Sequence, residues 1–569
     1  MRLLRVESTL TWLFLLVPAL AASGCGENDE VEPDPEDLNV DADSYAVTSE
    51  GRLLFFERSS GAIRRSTAIT GLASGESILG LDFRPADRAA YALANSGVLY
   101  TVNLDSGEGT LKSRLMADSA DTSDPFEELA GEVYGVNFNP VADRLRVVSN
   151  SGQNLRINVD TGATTTDGAL NPGTPSVTAA AYSNSFAAAC RTRLYVIDTS
   201  TNELFLQDPP NAGTLAKLGD LDAEASAGDW AGFEVVTAEN GTAQALALFP
   251  TAGGTTIYDI DLTTAALSNP RTLALHAGET LRGMSASPPL ASPTQPPGEL
   301  LGVTINDKIV SFNRGAPGKL CTTMPITGLE TGEEVFGIDV RPADGAVYAV
   351  GSAGKIYTVD VASGAATLKS TLSADPADTS DPFSTLPDQA LGIGFNPVPD
   401  RLRVVSRGGQ NYRINVDTGV TVTDASMSPT SMAMAGVAYS NAFAGATETT
   451  LYAIDAASGS LARIGGAPAS GGACPDDAGN PNCGNVTTIG SLGVADLSDI
   501  NGLDIDGDPA ATVSAFLALT IGDATSSSLY VVDLATGAAT PPTGVANPTI
   551  GGGEALRELT LAANPTVTP

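Results

Sequence analysis

A single histidine, His276, stands among 569 residues. That scarcity removes Ser-His-Asp and Cys-His nucleophilic chemistry and histidine-based metal centres from easy consideration. No Gly-rich phosphate loop, Cys-x-x-Cys pair or Gly-x-Ser-x-Gly elbow occurs either. The chemistry left is that of carboxylates, arginines and 5 cysteines. In DIDGDP (504–509) the carboxylates of Asp504, Asp506 and Asp508 alternate, as hard oxygen ligands do in a calcium loop. Pro509 occupies the position where such loops need Gly, and no Glu follows at the twelfth place, so an Asp-rich turn is the favoured reading and Ca2+ the lesser one. No cofactor is required.

The arginines come in two matched groups. Arg144, Arg146 and Arg156 share a stretch with Gln153 and Asn154, and Asp121 and Asp124 lie upstream in DTSDPF. The same pattern returns as Asp378, Asp381, Arg401, Arg403, Gln410, Asn411 and Arg413. Guanidinium forks, amides and carboxylates on one face are able to grip a polar ligand through bidentate hydrogen bonds. The structural reading is stronger: Arg144 and Arg146 are two apart on one strand face, where neighbouring elements would bury them against carboxylates such as Asp143 or Asp160. Cys474 and Cys483 bracket PDDAGNPN, a spacing suited to a local disulfide in an oxidising compartment. Cys190 and Cys321 are either buried thiols or a bridge between two parts of the chain.

These groups must be positioned by whatever element repeats. NFNPVADRLRVVSNSGQNLRINVD (137–160) returns at 394–417 with 19 of 24 residues identical, and GLDFRPAD (80–87), DTSDPF (121–126), AYSN (181–184) and LYVID (194–198) recur at the same offset of 257. The chain is a tandem duplication. Inside each unit a shorter period runs. VLYTVNLDSG, NLRINVDTG, RLYVIDTST and their relatives are short alternating runs that end in Asp or Asn and a small-residue turn. An apolar strand, a Pro/Asp turn, a second strand, this motif strand and a polar fourth strand repeat in constant order. That is the signature of β-propeller blades, and five such motifs fall in each unit. The first blade of each unit lacks its innermost strand, and TLRGMSAS (280–287) and ALRELTLA (555–562) are available to supply it. The expected fold is all-β: two five-bladed propellers, 44–287 and 300–565, joined by the Pro-rich linker 288–299, with one ten-bladed ring as the alternative.

The motif FNPxxDRLRVVSxxGQNxRINVDTG, present in both units, resembles an uncharacterised bacterial propeller family labelled "domain of unknown function 4394". The resemblance covers both units and implies the propeller fold in a secreted or lipoprotein setting. It carries no catalytic residues and leaves function open.

The N-terminus states a location. Arg2 and Arg5 precede an apolar run from Leu10 to Leu20, then Ala21, Ala22, Ser23, Gly24 and Cys25. The run is too short to span a bilayer. Small residues before a Cys resemble a bacterial lipobox, which implies removal of 1–24 and lipidation of Cys25; Gly26 resembles lipoproteins sent to the outer membrane. Residues 25–43 read as an acidic tether, and the lipid is the expected membrane contact. With 30 basic against 66 acidic residues the net charge is −36, which excludes nucleic acid as a partner. Five-bladed propeller glycosidases use acids projecting into a central funnel, and Asp82 and Asp339 lie on expected inner strands. No set of three acids stands apart from the Asp-rich turns, and aromatics are only 5%. The favoured function is a non-enzymatic, lipid-anchored envelope scaffold that binds a protein or polysaccharide. A carboxylate-dependent hydrolase or lyase is the runner-up, and three or more carboxylates converging in one funnel would favour it.

Overall fold

The computed structural model describes residues 43–562, apart from 223–229, 252–253, 291–292, 294, 388–390, 466–479, 508–513 and 544. The export signal, Cys25, most of the acidic tether, Cys474 and Asp508 lie outside the described residues. Within each blade, burial falls from the inside outward, as the sequence grades from apolar to polar. Ile78–Phe83 is buried at every position and Ala90–Ala94 likewise, whereas half of Gly109–Arg114 is exposed. The innermost strands pack on both faces; the outermost face solvent on one.

The blade turns follow from their residues. In NVDTG, Asn158 Oδ1 accepts the Asp160 N–H (3.0 Å), and Gly162 N–H donates to Asn158 O (2.7 Å). Gly162 has φ +81°, and a Cβ there would lie 1.9 Å from Arg114 O of the preceding blade. Gly419 repeats this against Thr371 O, also at 1.9 Å. Only glycine satisfies both the left-handed φ and the close approach.

The described strands form ten sheets in which antiparallel pairs dominate. In the first propeller, blade one is Leu281–Ser285, Ser44–Thr48, Arg52–Phe56 and Ile63–Ala68, in that spatial order. The innermost strands of blades two to five are Ile78–Phe83, Tyr134–Asn139, Val177–Tyr182 and Gly232–Thr237. Each touches the next, and the last touches Leu281–Ser285, so the ring closes at five blades. The second propeller repeats this with Leu556–Leu561 completing the blade of Leu300–Thr304, and Val335–Val340, Leu391–Asn396, Met434–Tyr439 and Leu497–Ile505 as the other inner strands. Both closing strands are those the sequence offered, and no single ten-bladed ring forms. One addition was not legible: Met116–Ala117 and Ser373–Ala374 pair in parallel with the outermost strands of the third blades, making those two sheets five-stranded.

The propellers are joined by more than the linker. Cys190 and Cys321 form a disulfide across 131 residues, resolving the open choice in favour of the bridge. Around it, Lys319 Nζ donates to Ala188 O (2.9 Å), the Cys190 N–H donates to Gln295 Oε1 (3.1 Å), and Asn313 Nδ2 donates to Cys190 O. Blade four of the first propeller is thereby fixed to blade one of the second. Cys321→Ser removes only the covalent part of that junction. Limited proteolysis of the 44–569 ectodomain should then cut within 288–299 several times faster than in the parent while each propeller stays resistant. Unchanged linker cleavage would mean the noncovalent contacts suffice.

Candidate functional site

The centre of each propeller is polar, and its groups come from the innermost strands. The open edge of each such strand faces the channel with backbone N–H groups that no further strand can pair. Side chains of the preceding blade accept from them. Asp82 Oδ2 accepts the Phe138 N–H (2.6 Å), and Asn137 Oδ1 accepts the Tyr182 N–H (2.8 Å). Asp339 Oδ2 accepts the Phe395 N–H (2.6 Å), and Asp504 Oδ2 the Leu561 N–H (2.6 Å). A hydroxyl on the closing strand ties acids together: Thr560 Oγ1 bonds to Asp339 Oδ1 (2.9 Å) and to Asp504 Oδ2 (3.0 Å), and its counterpart Ser285 donates to Asp82. In the second propeller Glu558 completes the set, accepting from Ile393 N–H and Leu503 N–H (3.2 Å each), from blades three and five.

Asp339, Asp504 and Glu558 therefore converge, which overturns the expectation that no set of three acids stands apart. It also places Asp504 on a strand, outside both the Asp-rich turn favoured from the sequence and the calcium loop of the lesser reading; Asp508 lies outside the described residues. Asp504 belongs to the inner strand Leu497–Ile505 and turns its carboxylate to the closing strand, away from any shared loop with Asp506. The Asp506 N–H pairs with Ser514 O (2.8 Å), as at a strand end. Burial pushes these acids up: Asp82 to about 7, Asp339 to about 6 and Asp504 to about 8, the last also raised by the Asp339 charge. Burial likewise raises Glu234, beside Asp82, and Glu558 well above the ordinary range.

The arginine groups are interblade clamps. Arg146 is buried and nearly saturated: Nη1 donates to Asn154 Oδ1 (2.8 Å) and Asp167 Oδ2 (2.6 Å), Nη2 to Asn211 Oδ1 (2.8 Å) and Nε to Tyr182 Oη (3.3 Å). Arg156 shares Asp167 through Nε (2.6 Å). Arg403, Asn411, Asp424, Asn482, Tyr439 and Arg413 reproduce the set. Of the pair expected to be buried against carboxylates, Arg146 is and Arg144 is not, and the carboxylate is Asp167 (Asp424 for Arg403) instead of Asp143 or Asp160. Those two are held by Arg84, and Asp400 and Asp417 by Arg341, two further arginines that sequence reasoning passed over. Arg341 and Lys369 hold Asp417 down at about 2. Arg144 and Arg401 lie half-buried and donate to turn carbonyls, at 2.9 Å to Asp143 O and 2.8 Å to Asp400 O.

The remaining predicted residues fasten a loop. Gln153 Oε1 accepts the Ala130 N–H and its Nε2 donates to Glu128 O (both 2.9 Å), so 116–132 and 150–154 do meet. Asp121 accepts the Thr166 N–H (3.0 Å) and the Asp124 N–H (3.3 Å), and Asp378 does the same with Thr423 and Asp381. Among the described contacts, neither Asp121 nor Asp124 reaches an arginine. Gln410, unlike Gln153, turns to Ser406. Cys483 is disulfide-bonded; Cys474 lies outside the described residues.

One cleft brings some of these residues to solvent. Between blades three and four of the second propeller, a cavity of about 440 Å³ is lined by Asn396, Arg401, Arg413, Tyr439, Glu448 and Thr449, among others, with Arg403 at its floor. Thr447, Glu448 and Thr449 correspond at the offset of 257 to Cys190, Arg191 and Thr192. In the first propeller that loop is covered: it carries the disulfide, Arg191 Nη1 reaches Pro297 O (3.4 Å), and Lys319 and Gln295 bind its backbone. In the second it lines an open cleft.

Cyclic four-stranded sheets closed by a C-terminal strand define this molecule as a tandem five-bladed β-propeller. The family model described as Domain of unknown function (DUF4394) matches residues 52–285 and again 308–557. The chain belongs to that family, as a tandem duplicate. No curated protein matches. Among solved structures, the Dos1 propeller is 13% identical, with 64% of this chain and 87% of that one covered and a TM-score of 0.23. BamB from Moraxella catarrhalis is also 13% identical, covering 68% and 92% with a TM-score of 0.20. A protein from Lactobacillus plantarum is 14% identical, covering 63% and 94% with a TM-score of 0.24.

Two stability measurements check these assignments. Arg403→Met leaves Asn411, Asn482 and Asp424 short of donors and should cost about 3–5 kcal/mol in urea unfolding, whereas Arg401→Met should cost less than about 1 kcal/mol. The axial acids titrate near 3.8 or 4.5 in the unfolded chain and higher in the folded one, so between those values the native state holds more protons. Stability therefore falls as pH rises from about 4 to about 8. Asp417, held low by its cations, works in the opposite sense only below about 4. Melting temperature should be higher at pH 5 than at pH 8, and Asp504→Asn, which mimics the protonated acid, should shrink that difference.

Proposed function

We propose that this protein is a non-enzymatic binding scaffold of the bacterial envelope, anchored by lipid on Cys25 and held off the membrane by the acidic segment 25–43. The sequence of the export signal supports the location. No helix among the described residues is long and apolar enough to cross a membrane. The observation that carries the binding role is the cleft at Arg401, Glu448 and Thr449. The loop beside it is the one the first propeller uses to hold another folded body. In the second propeller, among the described residues, that surface stands open next to Arg401 and Arg413, which keep N–H donors without a partner there, and this suits a polar or carboxylate-bearing group of an envelope protein or polysaccharide. The closed five-bladed ring keeps such a surface preformed, which lowers the ordering cost of binding.

A hydrolase or lyase is the second reading, favoured by the convergence of Asp339, Asp504 and Glu558. All three are buried, and their oxygens already accept backbone N–H groups of neighbouring blades, so a substrate would have to displace the contacts that hold the ring together.

Affinity capture from envelope extract separates the two. The 44–569 ectodomain and the second propeller alone should retain the same species in stoichiometric amount. Arg401→Glu should cut retention at least tenfold, while Arg144→Glu, its counterpart in the first propeller, leaves it unchanged. Absence of any retained species, or retention indifferent to Arg401→Glu, would sink the cleft. Polysaccharide turnover abolished by Glu558→Gln would install the enzyme instead.

A further inference from the structure

We propose that Glu50, His276 and Glu279 form a binding site for a divalent transition-metal ion, with zinc the best match, at the closing blade of the first propeller. The three side chains each place a ligand atom within 4.8 Å of the others. His276 Nδ1 lies 3.5 Å from Glu50 Oε2 and 3.9 Å from Glu279 Oε2. Zinc bonds to nitrogen and oxygen ligands are about 2.0–2.2 Å long, so tetrahedral ligand atoms sit roughly 3.3–3.6 Å apart, within a small side-chain rotation of what is seen. Two carboxylates and one imidazole equal in number the ligands of the three-ligand zinc sites that keep a fourth position open, and share their nitrogen and oxygen donors, though with one imidazole where the histidine and histidine-carboxylate sites have two or three. That position faces solvent, since the side chains of His276 and Glu50 are 62% and 50% exposed.

A second observation concerns Glu279, whose side chain is fully buried. Its Oε2 accepts from Arg52 Nη1 (2.9 Å) and from the His276 N–H (3.0 Å), but its Oε1 is buried and has no donor among the described residues. Glu554 Oε2 is likewise buried without a donor among the described residues, so the orphan oxygen belongs to a latch common to both propellers, and the neighbouring Glu50 and His276 are what single out the first.

The duplication separates scaffold from site. Arg52 and Glu279 latch the closing strand to blade one, and Lys308 and Glu554 form the same latch in the second propeller. By strand register, Glu50 and His276 correspond there to Asn306 and Gly551, neither of which offers a charged or imidazole ligand. The latch thus exists without the ligand set. The first propeller adds a carboxylate and the chain's single histidine to it. Imidazole favours zinc and its neighbours over Mg2+ or Ca2+.

The test is calorimetric titration of ZnCl2 into the 44–569 ectodomain, prepared without a polyhistidine tag or reducing agent. One equivalent should bind, and MgCl2 should not compete. His276→Ala and Glu50→Gln leave the Arg52–Glu279 latch in place, and each should weaken binding at least tenfold. Zinc should raise the melting temperature of the parent and leave that of His276→Ala unmoved. No saturable heat, or one equivalent bound undiminished by His276→Ala, would overturn the site.

Discussion

Everything in this molecule depends on what happens to the inner edge of each blade. A four-stranded sheet in a ring has an innermost strand whose outward hydrogen bonds have no partner strand, at the most buried place in the propeller. An orphaned buried amide costs about 1–3 kcal/mol, so five blades leaving theirs unmet would not close stably. The sequence meets this with acceptors: Asp82, Asn137, Asp339, Asp504 and Glu558 each take an N–H of another blade's inner strand. The acceptors are mostly carboxylates, and burial at that depth pushes their titration up toward neutral pH. Burial disfavours charge on Asp339 and Asp504, and the Thr560 hydroxyl bridges the two.

Outside the axis, the same problem of joining unpaired sheets is met with arginine. Arg84 and Arg341 each bridge two carboxylates of the next blade, and Arg146 and Arg403 each bridge blade three to blade four through Tyr182 or Tyr439. A guanidinium has five N–H donors in a fixed plane, enough to bind groups on two sheets at once. These polar clamps and the hydrophobic faces between blades act together. The apolar contacts give the energy of association, and the planar, directional clamps fix the angle from blade to blade.

Much of this was legible, for identifiable reasons. A repeated strand order announces blades, and a first blade one strand short predicts where the last strand must go; Leu281–Ser285 and Leu556–Leu561 went there. The buried character of Arg146 followed from its place on an inner-facing strand. Its partner did not, because Asp143 and Asp160 are near in sequence, while Asp167 and Asn211 are brought close by sheet register and by the next blade. Asp504 misled for a related reason. Asp at alternate positions marks a calcium loop, yet it also arises where an inner strand carrying an axial acid runs into a polar turn. The axial triad was hidden because Glu558 has no acidic counterpart; Gly283 occupies that register in the first propeller.

That last comparison shows how the two copies inform one another. Residues shared at one offset, the arginine clamps and the NVDTG turns, serve ring closure in both copies, and their recurrence says little about activity. The informative positions are those where one copy departs from the other at no cost to closure. Glu558 stands on the second axis at the register where the first propeller has Gly283. Thr447 and Glu448 against Cys190 and Arg191 leave open in one propeller a loop that the other commits to the disulfide and linker. Glu50 and His276 against Asn306 and Gly551 add ligands beside an unchanged latch. The last two departures put polar or charged groups where the other ring closes without them, whereas Glu558 serves closure itself by accepting N–H groups from blades three and five.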